Sequence, residues 1–371
     1  MRILHCLRAP VGGLFRHVLD LAGEQAARGH DVGIFADSNA EDALTGAKFA
    51  MLAPCLTLGI ARAPMSRQPG LGDFNAYRSV LAHAAPLSLD VLHGHGAKGG
   101  TYARLAARAL QRRSQNVKAF YTPHGGSLNY KPGSLQSRVF LKGEKLLERM
   151  TSGLIFESAF AARVYESRIG FEHAPYRVIH NGVQPGDFTE RVLVPDARDI
   201  LYIGELRAIK GVDTLLDALA LLNIDRPTTA TIVGSGPDSD KLKAQAVSLG
   251  LADKAVFTGA LPTSKAFARG RVMAVPSLAE SFPYVVLEAA AAGIALVSTS
   301  VGGIPEIVAG TDTVLIDAGD AQALARALRL ALDNPQVAKA KADRLKANVG
   351  AKFTVAAMTT AVLDFYALTK R

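Results

Sequence analysis

Glu280-Ser-Phe-Pro-Tyr-Val-Val-Leu-Glu288 is the stretch on which the reading of this chain turns. The apolar run Arg271 to Ala279 precedes it and reads as a buried strand. Alanines 289 to 292 and Gly293 follow it, a helical composition. The stretch is therefore a strand-to-helix corner. Pro283 suits the first helical position, where its fixed φ helps and its missing N–H would have no intrahelical partner. Glu280 then falls on a loop at the carboxyl end of a strand, the edge where open α/β sheets bind ligands, and Glu288 on the second turn of the next helix. Two carboxylates are expected to face one crevice, although acidic residues near helix starts also serve simply to complement the macrodipole.

Working outward, strand-like and helix-like runs alternate throughout. Arg2 to Leu7 reads as a strand, Leu14 to Arg28 as an amphipathic helix, and Asp31 to Ala36 as a strand. Further strands fit residues 90–95, 119–122, 153–156 and 176–179. A looser passage through Gln184-Pro-Gly-Asp and Val194-Pro-Asp reads as a linker, and a second α/β series follows it. Such alternation predicts parallel strands joined by right-handed crossovers. The expected organisation is an α/β chain of two Rossmann-like doubly wound domains facing across a cleft. Residues 1–186 form an N-terminal domain, 187–353 a C-terminal domain, and 354–371 a helix lying back on the first. A length of 371 residues suits two domains of about 150 to 200 residues each.

Composition narrows the function classes. Hydrophobic residues make up 49% and charged residues 20%, an ordinary globular balance. Apolar runs fall short of the roughly 18 residues a membrane span needs. The N-terminus reads as a first strand and not a signal peptide, so a cytoplasmic address is expected. Cys6 and Cys55 form neither a disulfide framework nor a metal cluster. The formal net charge is +9, of which residues 101–150 carry +8 through ten Lys or Arg and two Glu. Basicity so local argues for a patch and against a nucleic-acid coat.

Five loops at strand ends carry residues suited to a phosphorylated ligand. Gly12-Gly13 lets backbone N–H groups approach an anion at a helix start. Gly204 to Asp213 places Arg207 and Lys210 between a strand and a helix, within reach of a diphosphate over the sheet edge. Val233-Gly234-Ser-Gly-Pro is a further glycine turn. Tyr121-Thr-Pro-His124-Gly sets a histidine in the opening, and His93-Gly-His95-Gly-Ala-Lys98 points His95 and Lys98 the same way. Three histidines in two loops suggest a metal, but no carboxylate or cysteine accompanies them at ligand spacing, so no metal is expected. Asp238-Ser-Asp240 looks like a metal-holding pair, yet it opens a helix and is better read as N-terminal capping.

In combination these loops resemble the retaining glycosyltransferases of family four, group one, which share the two-Rossmann GT-B fold. The resemblance rests on Gly204 through Asp213, Val233-Gly-Ser-Gly-Pro, Glu280 with Glu288, Ala292-Gly293, and Val301-Gly-Gly-Ile-Pro-Glu306, in the family's order. Gly12-Gly13, His93 to His95, Thr122-Pro-His124-Gly and His180-Asn-Gly-Val extend it over nearly the whole chain. It implies a donor that is a nucleotide-diphosphate sugar, UDP before GDP or ADP, and no cofactor. By the same resemblance Arg207 and Lys210 neutralise the diphosphate, Glu288 holds the ribose hydroxyls and Glu280 the donor sugar. Amides after Gly12 and Phe282 complete a phosphate cradle, and His124 sits at the reacting sugar. Members often have Gly where this chain has Pro283; a proline has no N–H, which moves the cradle to the amides of Tyr284 and Val285.

The implied reaction is metal-independent hexosyl transfer to a carbohydrate or lipid-linked acceptor, in bacterial surface-polysaccharide or lipopolysaccharide assembly. His95 and Lys98 fall on the acceptor side. Arg138, Lys142, Lys145 and Arg149, alternating with Val139, Phe140, Leu141 and Leu146, form an amphipathic edge. That edge reads equally as a core-facing helix or as a contact with anionic lipid at the inner face of the cell membrane. A nucleotide-sugar epimerase and a non-catalytic nucleotide-sugar binding protein are the alternatives on this architecture. A nicotinamide oxidoreductase is disfavoured by the missing G-x-G-x-x-G.

Overall fold

The computed structural model describes residues 1–39, 43–125, 135–189 and 191–369. The chain divides into two units, Met1–Gly182 with Val355–Arg371, and Val183–Thr354. In the first, the elements run β1 (Arg2–Leu7), α1 (Gly12–Ala27), β2 (Asp31–Asp37), α2 (Ala43–Leu52), β3 (Gly59–Ala63), α3 (Gly72–Ala84) and β4 (Val91–His95). They continue with α4 (Gly96–Gln111), β5 (Lys118–Thr122), α5 (Leu135–Glu148), β6 (Gly153–Phe156), α6 (Ala159–Arg168) and β7 (Tyr176–Val178). Seven parallel strands line up as β3-β2-β1-β4-β5-β6-β7. The order reverses between β1 and β4, which opens a crevice at their carboxyl ends.

Three histidines on these strands follow from the pleat. His5 pairs in register with His93, and Leu7 with His95 and His95 with Thr122. Paired residues of parallel strands project to one face, so His5, His93 and His95 stand together. The opposite face packs Leu4, Cys6 and Leu92 against Val80, Tyr102 and Ala106 of α3 and α4. The histidine face is covered by α1 and by α14 (Val355–Leu368), whose Met358, Val362 and Phe365 pack with Ile3, Leu21 and Phe120. Arg28 ties these helices by donating to Thr360 Oγ1 at 2.7 Å and to Ala356 O at 2.8 Å.

The second unit runs β8 (Arg198–Ile203), α7 (Val212–Asp225), β9 (Ala230–Val233), α8 (Ser239–Ser248), β10 (Ala255–Gly259), α9 (Thr263–Phe267) and β11 (Gly270–Val275). It closes with α10 (Tyr284–Ala291), β12 (Ala295–Thr299), α11 (Ile304–Val308), β13 (Val314–Ile316), α12 (Ala321–Asp333) and α13 (Pro335–Lys352). Its sheet is β10-β9-β8-β11-β12-β13, with the reversal between β8 and β11. Apolar clusters fill both faces. One is built on α10 and α13, the other on α7, α8 and α12.

Three expectations need adjusting. The division falls at 182/183 and 354/355 instead of 186/187 and 353/354: Val183 is fully buried in the second unit, its N–H donating to Phe353 O at 2.9 Å. Strand β3 was not anticipated; as an edge strand, half-buried along its length, it lacks the apolar run that marks its neighbours. Asp238 does occupy the N-cap of α8 but makes no side-chain cap bond, and Ser239 Oγ instead exchanges hydrogen bonds with the Gly236 backbone. Among the described residues no helix is long and apolar enough to cross a membrane.

Candidate active site

In the second unit, the loops after β8, β9, β11 and β12 interlock at the carboxyl edge of the sheet. Leu278 N–H donates to Ile209 O at 2.8 Å, and Gly303 N–H to Ser281 O at 2.7 Å. Glycine makes the approach possible. Gly302 has φ +60°, and a Cβ there would stand 1.8 Å from Glu280 O. Gly234 has φ +144° and lies against Gly204 O, while its own N–H donates to Gly259 O at 2.9 Å. That amide is therefore committed within the sheet edge, where Gly234 allows close backbone packing.

This frame brings two of the expected residues together. Lys210 Nζ lies 2.6 Å from Glu280 Oε1, and Ser277 Oγ donates to the same oxygen at 2.7 Å. Glu280 is nearly buried, at 9% side-chain exposure, so its charge is held by these two donors. Sequence reasoning did not select Ser277; its only signal is the i, i+3 spacing to Glu280. Arg207 stands apart, exposed and paired with Glu205 at 3.1 Å.

Helix α10 begins one residue later than expected. Pro283 is its N-cap with extended backbone, ψ 124°, so Tyr284 and Val285 take the first helical positions and Val286 N–H closes on Pro283 O at 3.2 Å. First-turn amides point along the axis beyond the helix N-terminus, the orientation anions use. The Phe282 side chain is turned into the core, 5.6 Å from Phe353, which fixes the corner. Glu288 is half-buried on the second turn of α10.

The first unit assembles a second group of residues at its own sheet reversal. Gly12 and Gly13 are exposed at the start of α1, with Gly12 at φ +64°. One turn on, His17 Nδ1 hydrogen-bonds Asn181 Oδ1 at 2.9 Å, and its buried Nε2 meets no partner among the described residues. His95 Nδ1 lies 3.1 Å from His124 Nε2, His95 Nε2 lies 3.0 Å from His5 Nδ1, and His5 Nε2 lies 2.8 Å from Gln25 Oε1. His93 is held separately between Thr122 Oγ1 at 2.9 Å and Tyr366 OH at 2.6 Å.

Burial pushes the His5 and His17 imidazoles down to about 4, against opposing hydrogen bonds from Gln25 and Asn181. It holds His93, His95 and His124 well below the ordinary range, with neighbouring histidines adding to the effect. The cluster is thus a set of neutral rings. Two trios, His5/His93/His95 and His17/His95/His124, have ring nitrogens close enough to share an ion. Sequence reasoning found three of these histidines and missed His5 and His17. His5 lies in an unremarkable strand and His17 inside a helix, and only the fold shows that both point the same way.

Lys98, expected beside His95, is drawn instead to Asp73, which Tyr102 also contacts. The basic segment is likewise partly spent internally. Arg104 is buried, pairs with Glu144 at 2.5 Å and lies 4.0 Å over the Tyr121 ring. Glu148 accepts from the His173 and Ala174 N–H groups. The acids of α5 face inward, while Lys142, Lys145 and Leu146 lie exposed on it and Arg149 just beyond it. Lys145 is paired with Glu172, and Arg149 Nε donates to His173 Nε2 at 3.1 Å. The Arg138 side chain lies outside the described residues.

Two reversed parallel sheets, each with glycine-built loops at the ligand edge, define the GT-B class of glycosyltransferase fold. Anabaena HepE, solved in complex with UDP and glucose, superposes with a TM-score of 0.81 over 99% of each chain at 20% identity. Residues 186–349 match the model described as glycosyl transferases group 1, and residues 11–186 that of glycosyltransferase family 4. The chain belongs to the group 1, family 4 glycosyltransferases. It is 29% identical to a glycogen synthase of Mycobacterium tuberculosis, over 97% of this chain and 92% of that protein. It is 27% identical to a D-inositol 3-phosphate glycosyltransferase of Acidothermus cellulolyticus, over 87% and 78%.

Proposed function

We propose that this glycosyltransferase transfers a hexosyl unit, with retention, from UDP-sugar to a carbohydrate or lipid-linked acceptor. The observation that carries the reading is the Lys210–Glu280 pair beside the α10 N-terminus, at the ligand edge of the second unit. Departure of a nucleoside diphosphate leaves negative charge on its phosphate oxygens. A cation and helix amides positioned beforehand stabilise that charge without rearranging, which lowers the barrier and asks for no metal. Lys210, held in place by Glu280, meets the diphosphate with Arg207 joining it, and Glu280 accepts hydrogen bonds from the donor sugar's hydroxyls. Glu288 holds the ribose, and His124 meets the reacting sugar. No protein nucleophile is assigned; the leaving phosphate oxygen takes the acceptor's proton. UDP is favoured because the superposing HepE was solved with UDP and glucose.

The test is a transfer and donor-hydrolysis assay on Lys210→Ala and Glu288→Ala. Both are expected to lose turnover while keeping the native melting point, and near-normal donor hydrolysis by either contradicts the assignment. An epimer formed from donor alone, or binding without turnover on any glycan, would favour the epimerase or sensor reading instead.

A place in surface-polysaccharide or lipopolysaccharide assembly, at the inner membrane face, is supported by the outward side of α5. There Leu146 is 56% exposed beside Lys142 and Lys145. Neutralising Lys142, Lys145 and Arg149 is expected to weaken co-sedimentation with anionic vesicles. Unchanged co-sedimentation removes the membrane reading.

A further inference from the structure

The ring nitrogens of the first unit form a chain with a direction. With the Gln25 amide oxygen facing the ring, His5 Nε2 carries the hydrogen and His5 Nδ1 the lone pair. His95 Nε2 must then be the N–H that donates to His5, which leaves His95 Nδ1 as an acceptor. His124 Nε2 in turn donates to His95. Each assignment follows from the one before it, because a neutral imidazole has one donor and one acceptor nitrogen. Gln25 and His5 are fully buried and His95 is 1% exposed, so these contacts lie in a low-dielectric interior where each hydrogen bond counts fully. His17 is fixed independently: it donates Nδ1–H to Asn181 Oδ1.

We propose that His95 and His5, anchored by Gln25, are positioning residues that lock His124 as its Nε2–H tautomer, so that His124 offers an unprotonated Nδ1 as a hydrogen-bond acceptor. The substrate chemistry this selects is a hydroxyl group. Two further features match a ring held in one state. His124 has φ +52°, a left-handed backbone that a non-glycine residue keeps only where its surroundings impose it. Its ring also packs edge-on against His17, with centroids 4.9 Å apart. The role in turnover rests on the reading that His124 meets the reacting sugar; the tautomer itself does not.

The same nitrogens make a poor metal site as they stand. A metal bound by His17, His95 and His124 needs three lone pairs, and the chain supplies a hydrogen at His124 Nε2.

The experiment is two-bond proton–nitrogen correlation NMR on protein labelled with nitrogen-15 histidine, read on wild type, Gln25→Glu and Gln25→Leu. Wild type is expected to show His5, His95 and His124 as Nε2–H and His17 as Nδ1–H. Gln25→Glu keeps an acceptor and keeps the pattern. Gln25→Leu removes it, so the reversed chain becomes equally satisfied and His5, His95 and His124 should each populate both tautomers while His17 stays unchanged. In the transfer assay Gln25→Leu is expected to lower kcat about tenfold or more with donor KM little changed, and Gln25→Glu to restore it. Three results overturn the proposal: His124 found as Nδ1–H in wild type, tautomers indifferent to Gln25→Leu, or stoichiometric zinc retained by the purified protein and lost in His17→Ala. If the NMR pattern holds but kcat does not respond, the chain is real and the assignment of His124 to the sugar is what fails.

Discussion

In the proposed reaction, Lys210 is the side chain on which the chemistry leans most. It is partly buried at 26% exposure and already oriented by Glu280, so little ordering remains when a diphosphate arrives. Lys210→Ala is expected to lower kcat by about 10²- to 10³-fold, the range for removing one preorganised group that stabilises transition-state charge. Arg207, 44% exposed and paired with Glu205, should cost less and mainly in donor KM. Steady-state kinetics on the two variants separates the roles; a larger kcat loss in Arg207→Ala than in Lys210→Ala reverses the assignment. The residue scale is also where sequence reading was weakest. Lys210 and His124 were visible because each stands beside a glycine near a strand end, and Glu280 because it opens a strand-to-helix corner. His5, Gln25 and Ser277 were not, because nothing in a strand, a helix interior or a loop serine marks which neighbour it will reach.

Among the elements, the Glu280 corner and α5 make the sharpest demands. Gly302→Ala would drive a Cβ into Glu280 O from a backbone at φ +60°, so the loop carrying Glu280 and Ser281 has to shift. Its expected signature is activity lost out of proportion to stability, read by comparing kcat with the melting point. An unchanged kcat would mean that the corner's position does not matter. For α5, Arg104→Met strands a buried Glu144 and is expected to cost about 3–5 kcal/mol, whereas Arg104→Met with Glu144→Leu should recover most of that loss. Denaturant unfolding of the single and double variants measures it. Elements were the most legible level of the sequence, because apolar runs of fixed period set β1, β4, β8, β11 and α7 directly. Strand β3 escaped because an edge strand needs no such run, and Pro283 was placed one residue late because a proline suits either side of a helix start.

At the scale of the whole molecule, the neutral histidine cluster ties stability to pH. The unfolded chain binds these protons near the ordinary value of 6.5, while folded His5 and His17 bind them only near about 4. Unfolding therefore takes up protons as pH falls below about 6.5, and stability declines with acidification, by about 1.4 kcal/mol per pH unit for each imbalanced imidazole. Denaturant unfolding between about pH 6.5 and about pH 5.5, above most carboxylate titration, should show this slope, and His5→Asn should lessen it. A flat profile would mean that the cluster is charged in the fold. Two α/β units were readable from alternation alone, whereas the return of the C-terminal helix to the first unit was expected on no period or motif. The limits at 182/183 and 354/355 were not, since they depend on Val183 joining the second core through Phe353.

The central claim is that the second unit holds a nucleoside diphosphate between Lys210, Arg207 and the α10 amides. Calorimetric titration of UDP into the wild type and into the Arg207→Ala/Lys210→Ala double variant tests it most directly. Saturable binding to the wild type, weakened by about 2 kcal/mol or more in a double variant that stays folded, is the predicted result. Equal affinity in the two proteins, or no binding of UDP, GDP or ADP by the wild type, would contradict the account.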